Sequence, residues 1–207
     1  MDGLMFDTER YYCEADERLC RKYNIPINIQ ALYDVIGTSL PVDETVLFPE
    51  ESTRKEGMAL VQRSYLDSLE EMCLNGVPLK PGLMELLDAL ERASIRKCIA
   101  TSTDLYRTNR LLKAAGIFDR FAFVQTGREV KRGKPYPDVF LKTCEKAGVS
   151  LDEALILEDS SNGGLAAMNA PIDYIISPDI KQPIREVAEN ALFVGDSLFD
   201  VIDYLNL

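Results

Sequence analysis

Ala154-Leu155-Ile156-Leu157-Glu158-Asp159-Ser160 runs directly into Ser161-Asn162-Gly163-Gly164. The first half carries consecutive apolar residues with no polar alternation, the pattern of a strand covered on both faces. The second half leads into a small-residue helix over 162–170. A doubly covered strand feeding a helix is the repeating unit of a parallel sheet. Working outward, short apolar strands are expected at 96–101, 121–125, 173–176 and 191–194, and helices at 82–93, 104–115 and 137–147. Gly116 and Gly148 stand where two of these helices stop. The alternation predicts an α/β fold with a doubly wound parallel (Rossmann-like) sheet.

Residues 10–78 follow another rhythm. Tyr11, Ala15, Leu19 and Tyr23 recur every four positions and mark a helix over 10–24. A second short helix is expected over 28–37, and a long amphipathic one over 50–75, stopped at Asn75-Gly76. No convincing strand lies in this block. It reads as a small helical domain (10–78) inserted in a core made of 1–9 and 79–207.

Ligands of doubly wound sheets bind beyond the carboxyl ends of the strands. Thr101-Ser102-Thr103 follows the strand ending at Ala100. Its hydroxyls and free N–H groups suit a phosphate, although a turn or helix cap is the commoner role of such a string. Arg132-Gly133-Lys134-Pro135-Tyr136-Pro137-Asp138 places a lysine on a turn stiffened by two prolines. That lysine neutralises phosphate, or is a solvated surface charge. Glu158-Asp159 at a strand end suits a hard cation, or forms an acidic turn with a helix cap. Gly195-Asp196-Ser197-Leu198 reads as the cap of the last helix.

Composition narrows the chemistry. The 207 residues carry a net charge of −11, which argues against a nucleic-acid or anionic-membrane partner. Histidine is absent, so Ser-His-Asp and Cys-His catalysis are excluded and an oxygen-ligated metal such as Mg²⁺ is favoured. The five cysteines form no C-x-x-C pair. With no leader and no membrane-length apolar run, they predict reduced thiols in a cytoplasmic protein. Oligomeric state is not legible.

Together these strings, with Asp2-Gly3 through Asp7-Thr8-Glu9, resemble the motifs of the haloacid dehalogenase superfamily, in the branch with a helical cap after motif one. The nearest likeness is to β-phosphoglucomutase-like phosphatases. The resemblance implies Mg²⁺-dependent hydrolysis of a small phosphorylated metabolite, such as a sugar phosphate, through an aspartyl phosphate. Asp2 would be the general acid/base and lend its carbonyl to Mg²⁺. Thr101 and Ser102 would hold the phosphoryl group, Lys134 would balance its charge, and Glu158 and Asp159 would ligate Mg²⁺. The nucleophilic Asp of motif one would stand one position before Met1. The 207-residue chain is thus expected to lack its nucleophile and a central strand, and to be nearly inactive as written. Either the start is misassigned, or the chain is a shortened protein that binds phosphate or metal without turnover. The mutases carry a His where Tyr12 stands and an Arg shortly after the glycine matching Gly37, where Leu40 stands. Tyr12, Gly37 and Leu40 are candidate substrate positions on the cap, and the two replacements favour hydrolysis over mutase chemistry.

Overall fold

The computed structural model describes residues 1–36 and 42–207. Four helices come first: α1 (Thr8–Lys22), α2 (Ile29–Val35), α3 (Glu44–Leu47) and α4 (Glu51–Asn75). The α/β part follows as α5 (Leu83–Arg92), β1 (Ile99–Thr101), α6 (Leu105–Ala114), β2 (Val124–Thr126), α7 (Asp138–Ala147), β3 (Leu155–Glu158), α8 (Ser161–Asn169), β4 (Asp173–Ile176), α9 (Arg185–Asn190), β5 (Phe193–Val194) and α10 (Leu198–Leu205). Gly37 and Leu40 lie outside the described residues.

The helices end where local chemistry stops them. Asp104 accepts a bond from the Arg107 N–H at 3.0 Å and opens α6. Ser160 accepts from the Gly163 N–H at 3.1 Å and opens α8, while Ser197 and Asp200 form a reciprocal cap on α10, the role read from Gly195–Leu198. Leu83, Leu86 and Leu87 form the buried stripe of α5. Helix α8 approaches its neighbour closely because Gly164 has no Cβ; one placed there would sit 2.3 Å from Val187 Cγ1.

All the strand pairs are parallel, as expected, but they form two sheets rather than one. Strand β1 pairs with β2, Ile99 opposite Val124. Strand β3 pairs with β4, which pairs with β5. Between the two sheets lies a cavity of about 530 Å³, lined by Ile99 and Ala100 on one side and by Leu155, Ile156 and Leu157 on the other. Met1 and Met5 also line it. The edges of β1 and β3 that border this gap have no strand partner among the described residues, which is why the sheet is divided. Met1–Phe6 is not a strand; it forms a turn with single bridges from Phe6 to Asp2 and Leu79.

Strand limits moved from the expected ones. The β1–β2 ladder runs in from Lys97, whose carbonyl accepts from the Ala122 N–H at 2.8 Å, but regular pairing starts only at Ile99. A helical turn at Phe118–Arg120 is followed by bends at Phe121 and Ala122, so regular pairing starts late and β2 is Val124–Thr126.

Helices α1 and α4 pack side by side, and α4 also lies on α6. A cluster of Cys20, Ile25, Ala31, Leu47, Phe48 and Leu60 seals the first four helices. No helix among the described residues is long and apolar enough to cross a membrane.

Candidate active site

The carboxyl ends of β1, β3 and β4 and the start of α1 converge on Asp2. Thr8, the first residue of α1, donates its hydroxyl to Asp2 Oδ1 at 2.6 Å. Thr103, just beyond β1, donates to Asp2 Oδ2 at 2.5 Å. Both oxygens are therefore held by neutral donors, which orients the carboxylate without cancelling its charge. Thr101 is buried, and its hydroxyl oxygen accepts the Thr103 N–H at 3.1 Å. That bond leaves the Thr101 hydroxyl proton to be donated elsewhere. Ser102 is exposed.

Lys134 forms an ion pair with Glu158 Oε1; the glutamate side chain is buried, 6% exposed, and the lysine nearly so, at 11%. The loop that carries Lys134 is tied to α8, where the Asn169 amide donates to the Pro135 carbonyl at 3.1 Å. Glu158 Oε2 accepts the Asp159 N–H at 3.2 Å and the Ser160 hydroxyl at 3.3 Å. Burial pushes Glu158 up, but the Lys134 ammonium, the amino terminus and the Asp159 N–H together hold it below the usual carboxylate range. Glu158 is thus committed to Lys134. Asp159 is pushed the other way, first by burial and then by the charge of Glu158. Its Oδ2 lies against Gly3, so close that a Cβ there would be 2.2 Å away. Asp179 reaches the same place, with Oδ2 3.2 Å from that Cβ position. Asp179 Oδ1 accepts the Lys80 ammonium at 2.8 Å, while Oδ2 is buried with no hydrogen-bond partner among the described residues.

The expected set of Asp2, Glu158 and Asp159 does not form a ready-made metal cluster: among the described residues no three His, Cys, Asp or Glu side chains do. In this structure Glu158 Oε1 is paired with Lys134. Sequence reading missed Lys80 and Asp179, and quoted Thr8 and Thr103 only within longer strings, without their contacts to Asp2. Asp179 follows Ile176-Ser177-Pro178 at the end of β4, so the rule of inspecting strand ends could have found it. Tyr12 does face this region. Its hydroxyl accepts the Arg107 Nη2 at 2.6 Å, and its ring stacks on Tyr65.

Two expected results follow from this geometry. Gly3 has φ +75°. In Gly3→Ala the strained backbone and the collision with Asp159 together cost about 1–3 kcal/mol, read as a lower urea midpoint, and any Mg²⁺-dependent gain in stability shrinks with the displaced Asp159. The second result concerns pH. Glu9 is raised to about 7 by burial, with the charges of Asp2 and Asp179 adding to it; Asp16 is raised to about 6 by burial. An acid whose folded pKa lies above its unfolded one gives stability at low pH that is lost as pH rises through the folded value. Without metal, these two groups therefore make the protein lose stability as pH rises from about 4 to about 7. Asp16→Asn flattens part of that slope in denaturation curves taken across the same range.

A profile of the haloacid dehalogenase-like hydrolase family matches residues 1–177. The chain is 29% identical over 203 residues to (DL)-glycerol-3-phosphatase 2 of Arabidopsis thaliana, a match covering 93% of this chain and 83% of that one. It is 28% identical over 182 residues to the phosphorylated carbohydrates phosphatase of Thermotoga maritima, covering 84% and 81%. In fold it is similar to a HAD-superfamily hydrolase of subfamily IA from Geobacter sulfurreducens, with a TM-score of 0.74 at 23% identity over 99% of this chain and 92% of that one. The motif order from Asp2 to Asp159, the parallel strands that carry it and the match over residues 1–177 agree: the chain belongs to the haloacid dehalogenase-like hydrolase family.

Proposed function

We propose that these residues form a phosphomonoester hydrolase site for a small phosphorylated metabolite, with the helical block 10–78 acting as its cap. The observation that carries the reading is Asp2, whose two oxygens are held by the Thr8 and Thr103 hydroxyls at 2.6 and 2.5 Å. A carboxylate so fixed at the strand ends is placed to exchange protons with a leaving oxygen and a water. Thr101 donates to the phosphoryl group and Lys134 offsets its charge. In motif one of the family the attacking carboxylate stands two residues before the acid/base, which is the position preceding Met1. Its oxygen bonds to phosphorus as the bond from phosphorus to the leaving oxygen breaks. Asp2 gives that oxygen its proton, then takes one from the water that releases phosphate.

A divalent cation fits the acidic side of this site. Asp159 is half-buried and pushed up by desolvation and by the charge of Glu158, and the buried Asp179 Oδ2 has no hydrogen-bond partner among the described residues. These two carboxylates and the Asp2 carbonyl would hold Mg²⁺, which would supply positive charge to the phosphate oxygens. The five cysteines are all free, which supports the cytoplasmic reading.

The test is phosphate release from a panel of phosphomonoesters, using a polypeptide with an apolar strand ending in Asp fused directly before Met1. Mg²⁺-dependent turnover on at least one ester is the expected result. Phosphate or metal binding with no turnover on any of them rejects the hydrolase reading in favour of a binding protein.

A further inference from the structure

The chain returns from the helical block to the α/β part at residues 77–81, and that crossing is pinned to the first turn. The Asp7 N–H donates to the Pro78 carbonyl at 2.9 Å, Phe6 bridges Leu79, and the Lys80 N–H donates to the Met5 carbonyl at 2.9 Å. The Lys80 carbonyl accepts the Leu83 N–H at 3.2 Å, at the start of α5. Both backbone polar groups of Lys80 are used, so its side chain leaves from a fixed root. The ammonium donates to Asp179 Oδ1 at 2.8 Å, across 99 positions of sequence.

Asp179 is the more enclosed partner, its side chain 3% exposed against 18% for Lys80. Its Oδ2 is buried with no hydrogen-bond partner among the described residues, a costly state for a carboxylate oxygen. The Cβ position that Gly3 leaves empty lies 3.2 Å from this oxygen and 2.2 Å from Asp159 Oδ2. Oxygens from two strand ends therefore converge on one point beside the turn that carries Asp2. Lys80 bears on a cation there in two opposed ways. Its charge repels the cation, so on electrostatic grounds alone its loss would tighten binding. Its bond to Oδ1 fixes which oxygen of Asp179 faces the gap, so its loss would weaken binding. The pinned root and the single remaining oxygen favour the second effect.

We propose that Lys80 is a positioning residue for the cation: it holds Asp179 by Oδ1 so that Oδ2 is presented to Mg²⁺ beside Asp159. The proposal rests on the phosphohydrolase reading, with its cation at Asp159, Asp179 and the Asp2 carbonyl, and names the side chain that sets the geometry of that site. Lys80 touches neither substrate nor cation and acts through Asp179.

Titration calorimetry with Mg²⁺ alone, on the 207-residue protein and its variants, tests this. Lys80→Met is expected to bind Mg²⁺ on the order of 10- to 100-fold more weakly, the usual cost of losing the outer partner of a metal ligand. Lys80→Arg, which keeps a cationic donor on the same backbone, retains most of the affinity. Asp179→Asn weakens binding at least as much as Lys80→Met, while its amide oxygen still accepts from Lys80. The double variant Lys80→Met with Asp179→Asn binds no more weakly than Asp179→Asn alone, because Lys80 acts only through that carboxylate. Thermal denaturation with a chelator checks that each variant is folded. Should Lys80→Met fail to fold, Lys80→Arg and the comparison of Asp179→Asn with the double variant, which strands no charge, still decide. Unchanged or tighter Mg²⁺ binding in Lys80→Met overturns the proposal while the cation site stands. So does an arginine variant as weak as the methionine one, an Asp179→Asn protein that binds as before, or a double variant weaker than Asp179→Asn. Absence of Mg²⁺ binding by the unaltered protein rejects the cation site itself, and the inference with it.

Discussion

A polypeptide with an apolar strand ending in Asp placed directly before Met1 is expected to hydrolyse phosphomonoesters on the order of 10⁶-fold faster than the 207-residue chain, the scale on which loss of a covalent nucleophile is felt elsewhere. The same polypeptide with Asn in place of that Asp separates two effects. Both versions fill the cavity of about 530 Å³ between β1 and β3, and both gain stability. Burying five apolar side chains there contributes roughly 1.5–3 kcal/mol each. Ordering their backbones costs about 1–2 kcal/mol per residue, and the two open strand edges supply ladder hydrogen bonds in addition. The net gain of a few kcal/mol corresponds to a rise in melting temperature of about 10 °C for a chain of this size. Only the Asp version gains turnover. If the two versions hydrolyse esters equally, attack comes from elsewhere in the site.

Lys134→Met is expected to be the most damaging single substitution. It leaves Glu158 charged, buried and without its cation, because both side chains of the pair are nearly enclosed. Removing one partner of a buried pair typically costs about 3–5 kcal/mol, seen as a melting temperature lower by about 10 °C. Phosphate affinity falls with it, since the ammonium also faces the phosphoryl position of the proposed mechanism. The double variant Lys134→Met with Glu158→Gln removes the stranded charge. Thermal denaturation should show most of the stability returning, while phosphate affinity stays low. A double variant as unstable as the single one would mean that Lys134 supports the fold by its packing against Phe140, over whose ring its ammonium lies at 4.8 Å, and not by neutralising Glu158.

The parallel α/β architecture was legible because β3 and β4 carry short apolar runs without polar alternation, Leu155–Leu157 and Tyr174–Ile176, between helical stretches. The division of the sheet was not legible. Ile99 and Leu155 look the same in sequence whether one neighbour or two flank their strands, and only the open edges facing the cavity show the difference. Asp2, Thr101, Lys134 and Asp159 were singled out because each sits in a string with a chemical reason for its spacing. The residues that complete the site lack such a string. Thr8 reads as an ordinary first residue of a helix until its hydroxyl is seen on Asp2. Thr103 was quoted only as the tail of a hydroxyl cluster, although it is the one that touches Asp2. Arg107 looks like a solvated residue on α6, and only its contact with the stacked Tyr12 and Tyr65, 95 positions away for the hydrogen-bonded partner, reveals that it reaches the helical block. The sequence groups Glu158 and Asp159 as a pair at a strand end; it does not show that Glu158 pairs with Lys134 while Asp159 lies against the turn at Gly3.

The central claim is that phosphate leaves its ester by transfer to a carboxylate at the position before Met1, with Asp2 moving the protons. The direct measurement is acid-quenched mass spectrometry of the Asp-bearing polypeptide during turnover of a phosphomonoester with Mg²⁺. The account predicts a phosphoryl group on the peptide that contains Met1, carried by the residue preceding it, and none in the Asn version. Steady turnover with no phosphorylated peptide, or with the phosphoryl group on any other residue, would contradict it.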